Sequence, residues 1–120
     1  MRFPLDKKNL IRGARGHLSV GLGKAADYQA QYVSLYAPVA GRLTHFESDD
    51  GGLWLRLSGN DGFTYEFAHL SIRHKSGKVH EGQKIGTTGN SGRVTSGPHL
   101  HIQIKRTDGS RIDPETFFDQ

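Results

Sequence analysis

The chain of 120 residues contains no cysteine. Disulfide bridges and thiolate metal sites are therefore excluded, and any zinc must be held by His, Asp or Glu. Long hydrophobic runs are missing as well. The amino terminus, MRFPLDKKNLIRGARG, has no apolar stretch able to act as a signal peptide. Nothing elsewhere approaches the roughly eighteen consecutive apolar residues of a membrane helix. Proline is scarce, four residues against sixteen glycines, a balance that suits tight turns between short strands. Hydrophobic residues make up 34% and charged residues 23%, which is globular rather than disordered composition. The formal charge of +4 favours anionic partners such as nucleic acid, acidic lipid or a cell-wall polymer, without choosing among them.

No linker, repeat or low-complexity block interrupts the chain, so residues 1–120 are expected to form a single domain. Period-two patterning dominates its larger, carboxy-terminal part. Val33 and Leu35 alternate with Ser34 and Tyr36 ahead of a turn at Pro38 to Gly41. GLWLRLSG places Leu53, Leu55 and Leu57 on one face, with Trp54 and Arg56 on the other. Asn60-Asp61-Gly62 is a strong hairpin signal before FTYEFAHL. KVHEGQKIG reads as a short strand, a turn at Glu81-Gly82 and a second strand, and TTGNSGRVTSGP as loop. HLHIQIKR alternates cleanly, Asp108-Gly109 makes a turn, and residues 114–119 have room for one short helical turn. The pattern predicts an all-β, antiparallel fold with Greek-key or barrel-like closure.

Seven histidines stand out. On a strand, residues i and i+2 share a face, so His99 and His101 project together while Leu100, Ile102 and Ile104 point to the core. Two imidazoles on one rigid strand can approach a metal and its bound water at once. His69, at the end of FTYEFAHL, is the other candidate. Catalytic zinc takes about three protein ligands and keeps one position open for water, and a non-ligand histidine nearby can hold or shuttle a proton. His45, His74 and His80 read as ordinary polar residues. The glycines of GTTGNSG do not form a phosphate cradle, since no helix follows them and no Walker lysine is present. Arg93, Thr95 and Ser96 in that loop suit either substrate contact or simple solubility.

GNSGRVTSGPHLHIQI resembles the signature of the lysostaphin/LytM-type zinc endopeptidases, in which a Gly-rich loop precedes GPHLH and an apolar strand. FAHLS resembles that family's isolated catalytic histidine, YAPVAGRLT its first long strand and turn, VHEGQKIGTTGNSG its hairpin before the active-site loop, and IDPETFF its closing segment. The resemblance runs from about Asp27 to Phe118 with the motifs in family order. It implies an antiparallel barrel–sandwich hybrid of the duplicated-hybrid-motif type, and a metallopeptidase that hydrolyses stem or cross-bridge peptides of peptidoglycan through a zinc-activated water. It also implies that His101 ligates Zn2+, and that His69 and His99 are catalytic histidines that orient or deprotonate the water and stabilise the oxyanion.

The remaining ligands of that family come from an HxxxD motif. GKAADYQ puts Asp27 in the aspartate position, but Gly23 stands where the histidine belongs, and the nearest upstream histidine is His17. Two alternatives follow. Either His17 and Asp27 both reach zinc with His101 through a longer loop, or the chain keeps the fold as a non-catalytic wall-binding or scaffold module. A phosphocarrier-type hybrid barrel lacks the GPHLH loop. A nucleic-acid-binding barrel is disfavoured because Trp54, Tyr65 and Phe67 alternate as core residues do. The expected partner is therefore peptidoglycan, with no nucleic acid and no membrane span, and the expected state a monomer at the cell wall or periplasm, or phage-associated.

Overall fold

The structure, a computed structural model, describes residues 1–13 and 24–119. His17 and Gly23 lie outside the described residues. Among these, the chain runs through β1 (Leu10–Arg12), β2 (Ala26–Gln29), β3 (Ser34–Tyr36), β4 (Gly41–Ser48), β5 (Gly52–Gly59), β6 (Thr64–Arg73), β7 (Gly77–Val79), β8 (Lys84–Thr88), β9 (His99–Lys105), β10 (Arg111–Ile112) and a short helix α1 (Pro114–Phe118). The strand pairings described are antiparallel, and the order across the sheet is β1-β2-β9-β6-β5-β4-β7. β10 pairs with β9, and β8 pairs with both β6 and β3. The fold is all-β and antiparallel, as the period-two pattern predicts.

The alternation decides which face is which. Leu43, Leu55, Leu57, Tyr65, Phe67, Leu100, Ile102 and Ile104 are wholly buried and form one core with Leu35, Leu70 and Ile85. Burying each such side chain stabilises the fold by about 1.5–3 kcal/mol. α1 closes one end, with Phe118 in the core and Asp113 capping it by accepting a hydrogen bond from the Glu115 amide. The residues between these core positions emerge on the other face of the sheet. Register sets Phe46 opposite Trp54, Arg56 opposite Glu66, Glu66 opposite Gln103, Ala68 opposite His101, and His101 opposite Asp27. That face carries the chemistry.

Two expectations from the sequence are corrected here. VHEGQKIG is not a hairpin: the turn at Glu81-Gly82 reverses the chain, but β7 pairs with β4 while β8 pairs with β3 and β6. A turn signal is local and does not select the strand's neighbour. Trp54 is buried, as Tyr65 and Phe67 are, but lies outside their core cluster. It sits on the opposite face, stacked on Phe46 with ring centroids 5.0 Å apart and its indole N–H donated to Ser48 Oγ. Val33 is also exposed, and the strand begins at Ser34.

Candidate active site

A cleft opens over this face, lined among others by Asp27, Trp54, His69, Thr95, His99 and His101. Three strands supply its floor. β2 brings Asp27 and β9 brings His99 and His101, both by simple alternation. β6 brings His69 by breaking alternation. Phe67 and Leu70 both face the core although three residues apart, and the pairing of β6 with β5 shifts register between them. The extra residue is absorbed at His69, which adopts a left-handed backbone with φ of 62°. A bulge of this kind re-aims a side chain that would otherwise point into the core. Such a backbone costs about 1–3 kcal/mol and persists where the surroundings over-determine it. Here the His69 amide donates to Gly51 O at 2.8 Å and its ring nitrogen Nδ1 donates to Ser91 O at 2.7 Å.

The four side chains converge. His101 Nδ1 lies 2.9 Å from Asp27 Oδ1, and His99 Nε2 lies 3.7 Å from the same oxygen. The rings of His69 and His99 are 4.5 Å apart at their centroids, and those of His69 and His101 6.1 Å. Trp54 meets the His101 ring edge-on at 5.8 Å. His69 and His101 are buried, so little water screens the interactions among them. Burial pushes His69 below the usual histidine range. The nearby His99 and His101 add to that, against the opposing pull of the Ser91 carbonyl and Asp27.

Carbonyl oxygens only accept hydrogen bonds, which fixes two tautomers. His69 Nδ1 must carry the proton given to Ser91 O, and His99 Nδ1 the proton given to Gly97 O at 2.9 Å, with Thr95 Oγ1 3.3 Å away. In their neutral forms both rings therefore carry the unshared Nε2 lone pair. His101 is placed differently, with Nε2 against Gln103 Oε1 at 2.9 Å and Nδ1 turned to Asp27.

Of the residues singled out from sequence, Asp27, His69, His99 and His101 are brought together, and His17 lies outside the described residues. His45 bonds the His74 carbonyl at 2.6 Å, and His45, His74 and His80 take no part in lining the cleft. Thr95 supports His99, while Arg93 reaches Asp50 at 3.8 Å. Sequence reasoning missed Gln103 and Glu66, which join His101's sheet face through the register of two different strands. An Asp27–His101 pair offers a carboxylate oxygen and an imidazole nitrogen at one point, a donor set that suits zinc. Among the described residues no three His, Cys, Asp or Glu side chains form a metal-holding group on their own.

An antiparallel β-domain with an Asp–His pair flanked by two further imidazoles is hydrolase-like in its equipment. The family model for Peptidase family M23 matches residues 21–114, and the chain belongs to that family. It is 51% identical over 47 residues to the peptidoglycan DD-endopeptidase ShyA of Vibrio cholerae, a stretch covering 36% of this chain and 11% of that protein. The catalytic domain of the antimicrobial peptidase lysostaphin from Staphylococcus simulans superposes with a TM-score of 0.73 at 29% identity, covering 83% of each chain. The catalytic domain of the prophage-encoded M23 protein EnpA from Enterococcus faecalis, in variant form, gives a TM-score of 0.67 at 28% identity, covering 79% of this chain and 78% of that one. Two other solved structures are matched over only 37% and 49% of their length. Among the described residues no helix is long and apolar enough to cross a membrane.

Proposed function

We propose that residues 1–120 act as one zinc metalloendopeptidase domain that hydrolyses peptide bonds of bacterial peptidoglycan outside the cytoplasm, as a monomer. The observation that supports this most is the pairing of Asp27 and His101, 2.9 Å apart, beside the His69 and His99 rings whose Nδ1 atoms are anchored to backbone carbonyls. Asp27 and His101 would hold the ion, and His17 is the candidate for a further ligand. A bound zinc ion supplies Lewis acidity, polarising a carbonyl and lowering the pKa of water to about 7.

The chain's own residues supply the rest. His69 and His99, anchored through Nδ1–H to backbone carbonyls, turn basic Nε2 atoms into the cleft, where they accept the proton of the attacking water. The ring that gains it then donates to the oxyanion or to the departing amine. The depressed basicity of His69 keeps it neutral and ready at neutral pH. Trp54, stacked on Phe46, walls one side of the site.

A second reading is favoured by one specific observation: Gly23 occupies the histidine position of the HxxxD motif. Under it the chain is an inactive wall-binding or scaffold module. Zinc stoichiometry of purified protein, together with release of new amines from isolated sacculi, separates the two. The endopeptidase reading expects about one zinc per chain, lost in His101→Ala, and turnover abolished by a chelator. If His17 is a ligand, His17→Ala loses the metal as well. His69→Ala and His99→Ala should keep the zinc and lose roughly a hundredfold or more in rate. A protein that takes up no zinc on incubation with the metal leaves the module reading standing.

A further inference from the structure

Beyond His101 the site face continues into a chain of buried polar groups. His101 Nε2 meets Gln103 Oε1 at 2.9 Å, and Gln103 Nε2 meets Glu66 Oε1 at 3.1 Å. Glu66 Oε1 also receives Lys105 Nζ at 3.1 Å, and its Oε2 receives Arg56 at 2.8 Å. Glu66 and Gln103 are at most 9% exposed, so water cannot substitute for these bonds.

The direction of every bond is forced. Burial alone would raise the Glu66 carboxyl, but its bonds and attraction to Arg56 and Lys105 win and hold it below the usual carboxylate range. An ionised carboxylate accepts only. Gln103 must therefore turn its NH2 to Glu66, which leaves its carbonyl oxygen facing His101. A carbonyl oxygen also accepts only, so His101 Nε2 must carry a proton. The nitrogen left to meet Asp27 is Nδ1, 2.9 Å from its Oδ1, and the proton held in that bond is the one a bound metal ion would displace. His69 and His99 instead give their Nδ1 protons to backbone carbonyls.

We infer that Gln103 and Glu66 are positioning residues that hold His101 in the Nε2–H form and so present Nδ1 to the metal. The inference rests on the zinc reading above. Partners of this kind typically change metal affinity by about 10–100-fold when they are removed. Arg56 and Lys105 act one step further out, by keeping Glu66 charged.

The test is zinc affinity of the full chain by competition with a chromophoric chelator, alongside 15N spectra of the histidine rings in the zinc-loaded protein. Gln103→Leu removes the acceptor, and Glu66→Gln lets the amide at 103 turn over. Each is expected to weaken zinc binding by about 10–100-fold. The swap Glu66→Gln with Gln103→Glu keeps an acceptor facing His101 and an amide donor facing that acceptor, and should restore affinity to within about threefold of wild type. A merely structural contribution would not be rescued by exchanging the two groups. In the spectra, wild-type His101 should keep an exchange-protected proton on Nε2, a signature weakened in Gln103→Leu and regained in the swap. Arg56→Gln leaves Lys105 to keep Glu66 charged and is expected to weaken zinc binding by less than Glu66→Gln does.

Wild-type zinc binding with unchanged affinity in Gln103→Leu overturns the inference and leaves the endopeptidase reading intact. So does a folded swap variant that stays as weak as Gln103→Leu. If a variant fails to fold, the wild-type spectrum decides alone: a His101 ring without a proton on Nε2 overturns the inference. Absence of zinc binding by wild type removes the endopeptidase reading, and the inference falls with it.

Discussion

Tyr28 shows how much a single polar atom matters in a core of this size. Its hydroxyl is buried and has no hydrogen-bond partner among the described residues, while its ring packs edge-on against Phe3 at 5.0 Å. Burial, with the nearby charges of Glu115, Asp113 and Asp119, pushes its pKa up to about 12. An unsatisfied buried hydroxyl costs about 1–3 kcal/mol, whereas an apolar group of the same shape costs nothing comparable. Tyr28→Phe should therefore raise Tm by up to about 4 °C in a calorimetric scan; a fall in Tm would mean the hydroxyl is bonded after all. Glu66 gives the opposite case. Its carboxyl titrates below the ordinary value of 4.5 in the folded protein, because Arg56 and Lys105 outweigh its burial. A depressed carboxyl contributes stability that is fully present above the unfolded value and is lost as pH falls through the folded one. The Tm difference between wild type and Glu66→Gln should be constant from pH 6 to 7 and shrink steadily below about pH 4.5. A gap that widened on acidification would contradict this reading of the ion pairs. At this scale His69, His99 and His101 were legible in sequence, since imidazoles mark themselves and parity aligned two of them. Gln103 and Glu66 were not, because a polar residue on an alternating strand is the ordinary mark of a solvated face, and only the folded register shows that they are buried together.

At the scale of elements, the loop after β8 and the turn before β5 form one support for His69. Ser91 Oγ accepts from the Leu53 amide at 3.0 Å and donates to Leu70 O at 2.7 Å, while its carbonyl holds His69 Nδ1. The two segments touch at Gly52 and Gly92, both with positive φ, of 71° and 94°. A Cβ on Gly52 would collide with the backbone of Ser91 and Gly92, and it would also be strained by that φ. Gly52→Ala is therefore expected to cost about 2 kcal/mol or more and to displace the Ser91 carbonyl from His69. Thermal melts should show the loss, and on the proposed role of His69 turnover should drop by at least about tenfold, since a small misplacement of a catalytic group costs more than its bond energy suggests. An active, fully stable Gly52→Ala protein would show that the loop does not position His69. The strands themselves were readable because period two is a direct consequence of one buried face. The bulge at His69 was not readable, since it is a property of two strands in register, and the same holds for β7 and β8, which turn like a hairpin yet pair elsewhere.

The whole molecule carries a formal charge of +4, and its arrangement bears on the proposed polymer partner. Arg42 and Lys78 stand directly opposite each other on β4 and β7, on the same face as Asp27 and His101. Like charges directly across a ladder are destabilising, and neither side chain is among the ion pairs of the described residues. The repulsion is small in water but is relieved wherever an anionic chain runs over both. If peptidoglycan, with its free carboxylates, crosses this face on its way to the cleft, its binding should be electrostatic in part and should weaken as salt shortens the screening length from about 10 Å at 0.1 M to about 3 Å at 1 M. Co-sedimentation with purified sacculi is expected to show affinity falling severalfold across that range. The double variant Arg42→Gln, Lys78→Gln should bind more weakly at low salt, depend less steeply on it, and melt no lower than wild type, because no ion pair is lost. Equal slopes for the two proteins would mean that the substrate does not cross this pair, and a salt-independent affinity would mean that shape and hydrogen bonding within the cleft, rather than the charge of the whole molecule, bring the wall to the site.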